Sequence, residues 1–499
     1  GGSAAAEFLR QMLGEAAEID VYEKEGHECG RLGLIQVGDK TYNSGGCVAH
    51  PRNQYMKNLT LLANLTHSPD DDGDGRLFLY DQINQEWRMR QTGYSLVDLL
   101  IILWKYGLAP YFLETSVSAM LKKFDNIYDL QRKGEAFGSV EDMLHAMGGD
   151  EFVSMLRTPL HDYLKSKGVK EPLLSDLAGA AMAVNYGQNV SDMHAFVGMV
   201  SLAGVQDGLW SIKEGNGKIC KTLISKANGR ILSKTTVTKI QRIHDKQTCQ
   251  EGATRYVVEA KTSASSSGAD SDAQPETTTQ SYDAVILAAP LQLSGIELVD
   301  FPNQEGDYGR EGGYHRTVAT FVDGNGYQPE YFGGGFKYGE SPEILATTPG
   351  KKFTSVSVSD PTQPDSEHSE IHQKSEPEPD GISSSKVMKV FSTLPLEESQ
   401  LDALFGKEGH GEVNVADWLA YPAYTGFKNR KLTPLSLDGE AAAYISPIEW
   451  AASAMEMSCL GAKNAVNLVY KALEASGKLR GECLFVPSRS SRSSSSAEL

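Results

Sequence analysis

Gly1-Gly2-Ser3-Ala4-Ala5-Ala6-Glu7-Phe8-Leu9-Arg10-Gln11-Met12-Leu13 opens the chain, and Glu18-Ile19-Asp20-Val21-Tyr22-Glu23-Lys24 follows it. Small residues pass into apolar ones at helical spacing, so the first run predicts a helix starting at the glycine pair. The second run is rich in strand formers and ends in an acid 21 positions after Gly2. That spacing fits a βαβ dinucleotide unit: glycines admit a pyrophosphate to a helix N-terminus, and an acid one strand later holds a ribose hydroxyl. Such a unit begins with a strand, so a leading strand is expected ahead of Gly1. Two more glycine turns follow, Gly30-Arg31-Leu32 and Tyr42-Asn43-Ser44-Gly45-Gly46. A glycine pair alone is an ordinary turn. The ordered series Gly1-Gly2, Glu23-Lys24, Gly30-Arg31 and Gly45-Gly46 points to an FAD site.

With 499 residues and 40% hydrophobic content, the chain is long enough for two or more packed domains. Its formal charge of −18 opposes a nucleic-acid partner, which needs a basic face. The six cysteines, Cys29, Cys47, Cys220, Cys249, Cys459 and Cys483, show no CxxC spacing, so neither a metal site nor a redox pair is implied. Asn58, Asn64 and Asn189 head glycosylation sequons, which matter only in the secretory pathway. Leu96 to Phe112 is the most hydrophobic stretch, but Asp98 and Lys105 interrupt it and it is shorter than a membrane span. It reads as a helix, either packed in the core or forming a lipid-facing or membrane-resting surface.

Along the chain, helical patterning follows Tyr55 and dominates from Ser95 to Gln206. The acidic run from Asp70 to Gly75 resembles part of a calcium loop but lacks the later Glu, so it reads as a solvated hairpin tip. Strands return at Thr235–Ile240, Arg255–Glu259 and Tyr282–Pro290. Thr317–Phe321, Phe353–Val358 and Lys386–Ser392 suggest a second sheet, and Glu449–Ala475 returns to helix. Residues 262–280, 360–385 and 487–499 are polar, low in apolar content and expected to be disordered. The fold expected is α/β: a two-dinucleotide-binding FAD domain from 1–55, 205–300 and 440–478, interleaved with a substrate domain of helices and a mixed sheet from 56–204 and 301–439.

Three blocks carry a specific likeness. They are Val184-Asn185-Tyr186-Gly187-Gln188 with Gly208-Leu209-Trp210-Ser211 and Glu214-Gly215-Asn216; Asp417-Trp418-Leu419-Ala420-Tyr421-Pro422; and Ile448-Glu449-Trp450-Ala451-Ala452-Ser453-Ala454-Met455-Glu456. With the N-terminal glycines, the chain resembles the prenylcysteine oxidase family over nearly its whole length. Cys29 stands where that family usually carries a glycine before Gly30-Arg31.

The resemblance implies oxidative cleavage of an S-prenyl-cysteine thioether by FAD, O2 and water, giving a prenal, free cysteine and hydrogen peroxide. It also implies a lysosomal or vacuolar setting. Such chemistry asks mainly for positioning of the carbon between sulfur and the allylic chain. The sequence agrees, since no nucleophile–His–acid set stands out. Under this reading Val237 contacts adenine through backbone groups, and Ser453, Met455 and Glu456 start a helix whose positive end faces the flavin pyrimidine. Tyr186, Trp210 and Trp418 are candidates for the prenyl-binding wall. His50 and His194, and more weakly Glu456, are candidates to assist water addition, the alternative being structural residues with satisfied hydrogen bonds. Two other readings stay open: an FAD-dependent amine oxidase or desaturase on the same scaffold, and a non-catalytic prenyl-binding relative.

Overall fold

The computed structural model describes residues 1–69, 75–245, 253–263, 276–302, 311–350, 352–363 and 386–480. Helix α1 spans Gly2–Leu13 and buries Ala4, Ala5, Ala6 and Phe8. Its alanines leave no bulk to hold neighbours off, so it packs closely against the helices Lys218–Lys226 and Met455–Ala475. Strand β1, Asp20–Tyr22, pairs in parallel with Arg230–Leu232. Val285–Leu287 pairs in parallel with Ala442–Tyr444. These two parallel ribbons and the three helices form one half of an α/β fold.

The long helix Met455–Ala475 anchors this half. Gly461 lets it pass close to the strand end, since a Cβ there would stand 3.0 Å from Ile445 Cγ2. A four-stranded sheet, ordered Glu276–Tyr282, Ala253–Thr262, Thr235–Asp245 and Glu297–Val299, stands beside it. A seven-stranded mixed sheet forms the second half, with Tyr314–Gly324, Lys386–Ser392, Ser355–Val358 and Glu343–Ala346 at its centre. Helix α2 (Gln54–Leu62) precedes the strands Leu77–Asp81 and Glu86–Arg90 at one edge of that sheet, and helices then dominate from α3 (Ser95–Tyr106) and α4 (Ala109–Phe124) to Ala203.

Several sequence expectations change. Part of the segment read as disordered, Glu276–Tyr282, is a strand. Its Thr and Ser side chains are exposed on both faces, so it carries no apolar alternation; backbone pairing with Ala253–Thr262 orders it, and Tyr282 at its end donates to Asp20. Thr362 and Gln363 likewise donate backbone hydrogen bonds to the carbonyls of Thr41 and Lys213, at 2.7 and 2.8 Å. The remainder of those polar segments, 264–275, 364–385 and 487–499, and residues 70–74 of the acidic run, lie outside the described residues. The cysteines do form a pair: Cys29 is disulfide-bonded to Cys220, 191 positions away, a contact that no local spacing could announce. Cys47 and Cys459 are free thiols. The hydrophobic stretch is not one core helix. Gly107, at φ +57°, breaks it into α3 and α4, and Tyr106 is the only residue of α3 that is buried.

Candidate active site

A cavity of about 1950 Å³ runs between the two halves, larger than the ~300–1,000 Å³ of ordinary small-ligand pockets. Its wall takes in Gly1, Gly2, Glu23, Gly30 and Val237 from one set of turns and strands, Gly45, Gly46, Ser453 and Met455 from a second, and the aromatic group Tyr186, Trp418 and Tyr421. Sequence-distant groups thus meet along one continuous space.

The first set suits a dinucleotide. α1 begins at the cavity with no side-chain cap on its N-terminus, leaving first-turn N–H groups for an anion. Glu23 stands just past the C-terminal end of β1 and lines the cavity with Lys24. Gly30 has φ +51° and open space where a Cβ would stand, so the backbone presents itself directly. Gly45 is needed for a different reason. A Cβ there would fall 1.9 Å from the Arg31 carbonyl oxygen, because the two glycine turns are laced together by Ser44 N–H to Gly33 O and Gly46 N–H to Arg31 O.

The motif residues hold these turns. Asn216 Nδ2 donates to the carbonyls of Gly46 and Cys47 at 2.7 and 2.6 Å, and its N–H donates to Asn43 Oδ1 at 2.9 Å. The disulfide ties Cys29 to the helix Lys218–Lys226. Arg31 lines the cavity, but its guanidinium is engaged elsewhere: it donates to both carboxylate oxygens of Glu449 and to the Ala420 carbonyl. Arg31 therefore braces the turn that it stands in.

The helix Met455–Ala475 also opens on the cavity with no side-chain cap. Tyr186 OH donates to the Ser453 carbonyl at 2.9 Å, and Ser453 N–H donates to Tyr424 OH at 3.1 Å, which fixes that helix entry. Tyr186 packs edge-on against Tyr421 and Tyr424, with ring centroids 5.2 and 5.6 Å apart. Burial pushes the Tyr421 phenol up to about 12 and raises Tyr186 as well, so both stay neutral. This part of the wall is aromatic.

Four candidates stand away from the cavity and take other roles. Trp210 packs against His67 in a tilted ring contact with centroids 4.2 Å apart and donates its indole N–H to the His50 carbonyl, so it is core. His50 is hydrogen-bonded to Gln206 at 3.2 Å, and burial lowers its pKa. His194 is buried, with Nε2 2.9 Å from the Trp450 carbonyl and Nδ1 accepting from Val197 N–H. Desolvation brings it down to about 4, so it is a neutral structural residue. Glu456 caps α2: it accepts from the backbone N–H groups of Tyr55 and Met56 and from Tyr128 OH. Its carboxylate thus points into the packing and not into the cavity. Burial nevertheless lifts it to about 7.

Sequence reasoning passed over Lys389 and His315, both in the cavity wall. Lys389 is buried in the strand Lys386–Ser392, its Nζ 3.3 Å from the Cys47 thiol. A lysine in the middle of Val387-Met388-Lys389-Val390-Phe391 is itself a signal, since a charge is rarely placed inside an apolar strand without a use. His315 stacks on Tyr421 at 5.7 Å and lies against Gly187. Among the described residues, no cluster of three His, Cys, Asp or Glu side chains is placed to hold a metal ion.

Similarity to known proteins agrees with this geometry. The chain resembles a redesigned putrescine oxidase with TM-score 0.55 at 12% identity over 96% of each chain. It resembles cyclohexylamine oxidase from Brevibacterium oxydans with TM-score 0.55 at 14% identity over 95% and 97%. At such identities the likeness shows the fold, that of a two-domain amine-oxidase-type enzyme. In sequence, it is 30% identical to human prenylcysteine oxidase 1 over 478 residues, covering 94% of this chain and 87% of that one. It is also 30% identical to human prenylcysteine oxidase 1-like, covering 94% and 88%. The prenylcysteine lyase family model matches residues 89–479. The chain belongs to the prenylcysteine lyase family.

Proposed function

We propose that this chain is an FAD-dependent oxidase of S-prenyl-L-cysteine, farnesyl- or geranylgeranyl-cysteine, acting in the breakdown of prenylated proteins. The substrate carbon next to sulfur loses a hydride equivalent, and water adds there. The resulting hemithioacetal collapses to a prenal and free cysteine while O2 becomes hydrogen peroxide. What carries the reading is a family match along most of the chain, joined to one cavity whose wall holds both the glycine turns and the aromatic group.

Bound FAD would supply the hydride acceptor. The chain's own part is binding and orientation. The N–H groups of α1 beyond Gly1-Gly2 would take the pyrophosphate, Glu23 a ribose hydroxyl, and the Val237 backbone the adenine. Gly30 and Gly45-Gly46 would let the backbone approach the cofactor. The N-terminus at Ser453–Met455 would lend its positive end to the charge that grows on the reduced ring. Trp418, Tyr186 and Tyr421 would hold the prenyl chain, keep water off its length and aim the sulfur-bearing carbon.

A lysosomal, vacuolar or other secretory setting is supported by the Cys29–Cys220 disulfide, which persists in oxidising compartments. Asn58, Asn64 and Asn189, heading the sequons, are all exposed. The test is product analysis with the flavin-loaded protein in air. Farnesal, free cysteine and peroxide should appear in equal amounts from S-farnesyl-cysteine. Oxidation of putrescine or cyclohexylamine with the thioether untouched would replace this reading by an amine oxidase.

A further inference from the structure

Ten of the twenty large apolar side chains exposed among the described residues fall between Tyr94 and Phe112. Leu96 is 78%, Leu100 66% and Trp104 88% exposed. So dense a patch on one helical corner is costly in water. It needs a cover.

The chemistry of the patch selects that cover. α3 has two charged side chains, and both are tied down. Asp98 accepts from the backbone N–H and hydroxyl of Thr92, and Lys105 pairs with buried Asp176 at 2.8 Å and donates to the Arg88 carbonyl. The outward face of Leu96, Leu99, Leu100, Leu103 and Trp104 therefore carries no charge. Tyr94, Trp104 and Tyr111 add exposed amphipathic rings, the residue type that settles at the boundary between lipid and water.

Length and shape argue against a single straight span among the described residues. No single described helix is long and apolar enough to cross a membrane, and α3 and the helical run after it bend by 96°. Twelve residues give α3 a reach of roughly 18 Å, below the ~30 Å hydrocarbon thickness. A bent, uncharged apolar corner fits shallow insertion into one leaflet. The net charge of −18 argues further that the leaflet is electrically neutral.

The corner is also joined to the cavity. The Arg76 side chain, in the cavity wall, lies beside Gly93, just before α3. Gln206, also in that wall, donates from its amide to both carboxylate oxygens of Glu114 on α4, at 3.0 and 2.9 Å. We propose that the α3–α4 corner seats the protein on a neutral phospholipid leaflet, holding the cavity rim at the lipid surface. This assignment rests on the exposed face alone and stands whatever the substrate is.

The test uses the full chain and vesicles of phosphatidylcholine in a flotation assay. The native protein should float with the vesicles at low and high salt alike, and the double substitution Leu100→Glu with Trp104→Glu should weaken flotation by about tenfold or more. Both positions are exposed, so folding is preserved; circular dichroism of the variant checks this. Three outcomes would overturn the assignment: flotation unchanged in the double variant, flotation only on anionic vesicles and abolished by salt, or no flotation together with a dimer that the double substitution splits. The last would make the corner a contact between two copies.

Discussion

Arg31 and Glu449, 418 positions apart, meet in a two-pronged ion pair, with Nη1 to Oε2 at 2.8 Å and Nη2 to Oε1 at 2.6 Å. The pair fastens the first glycine turn to the segment that leads into the helix Met455–Ala475. Tyr314 OH donates to the same carboxylate at 3.2 Å.

Glu449 is almost wholly buried while the Arg31 side chain is a third exposed, so Glu449→Ala leaves a partly solvated cation behind. A loss of about 2–3 kcal/mol is expected, below the ~3–5 kcal/mol of a fully buried pair because solvent recovers part of the charge. Urea denaturation of the flavin-loaded protein measures it, and an unmoved midpoint would show that the pair holds nothing.

Glu23, just past β1 in the cavity wall, is the proposed partner of a ribose hydroxyl. Glu23→Ala should weaken flavin affinity about tenfold, near 1.4 kcal/mol for one charged hydrogen bond, with folding intact. Flavin titration of the apoprotein decides, and unchanged affinity would remove Glu23 from the cofactor site.

The Cys29–Cys220 bond ties the Gly30 turn to a helix across 191 positions. Replacing both cysteines by serine should cost roughly 2–5 kcal/mol of stability. Flavin should also leave the variant faster, because the turn loses its tether. If stopped-flow release is the same in both proteins, the disulfide serves stability alone.

How much of this was legible depended on whether a contact is local. The glycine turns, the acid after β1 and the C-terminal helix follow from short-range pattern, and they set out the glycine-turn part of the cavity wall. The disulfide and the Arg31–Glu449 pair join residues far apart, and neither residue type nor spacing marks them. The strand Glu276–Tyr282 was missed because backbone pairing, not apolar alternation, orders it. His194 and Glu456 attracted attention as titratable residues, yet packing consumes both. Lys389 was readable and was passed over.

His194 makes a pH signature. Burial holds it at about 4 in the folded protein against an ordinary 6.5, so the unfolded chain takes up a proton that the native state refuses. Stability from this residue is complete above pH ~6.5 and is lost as pH falls toward ~4, at about 1.4 kcal/mol per unit within that window. His194→Gln keeps a donor and an acceptor but cannot titrate. Its melting temperature relative to the native protein should rise steadily from pH 6.5 to 4.5, whereas a constant offset would mean that His194 does not resist protonation.

The central claim is that this cavity brings a prenyl thioether to a flavin. The most direct measurement is to mix the flavin-loaded protein with S-farnesyl-cysteine under strict anaerobic conditions and watch the oxidised-flavin absorption band. Bleaching of that band, followed by its return with peroxide when air is admitted, is the predicted result. A band that persists with the thioether but bleaches with an amine would contradict the account.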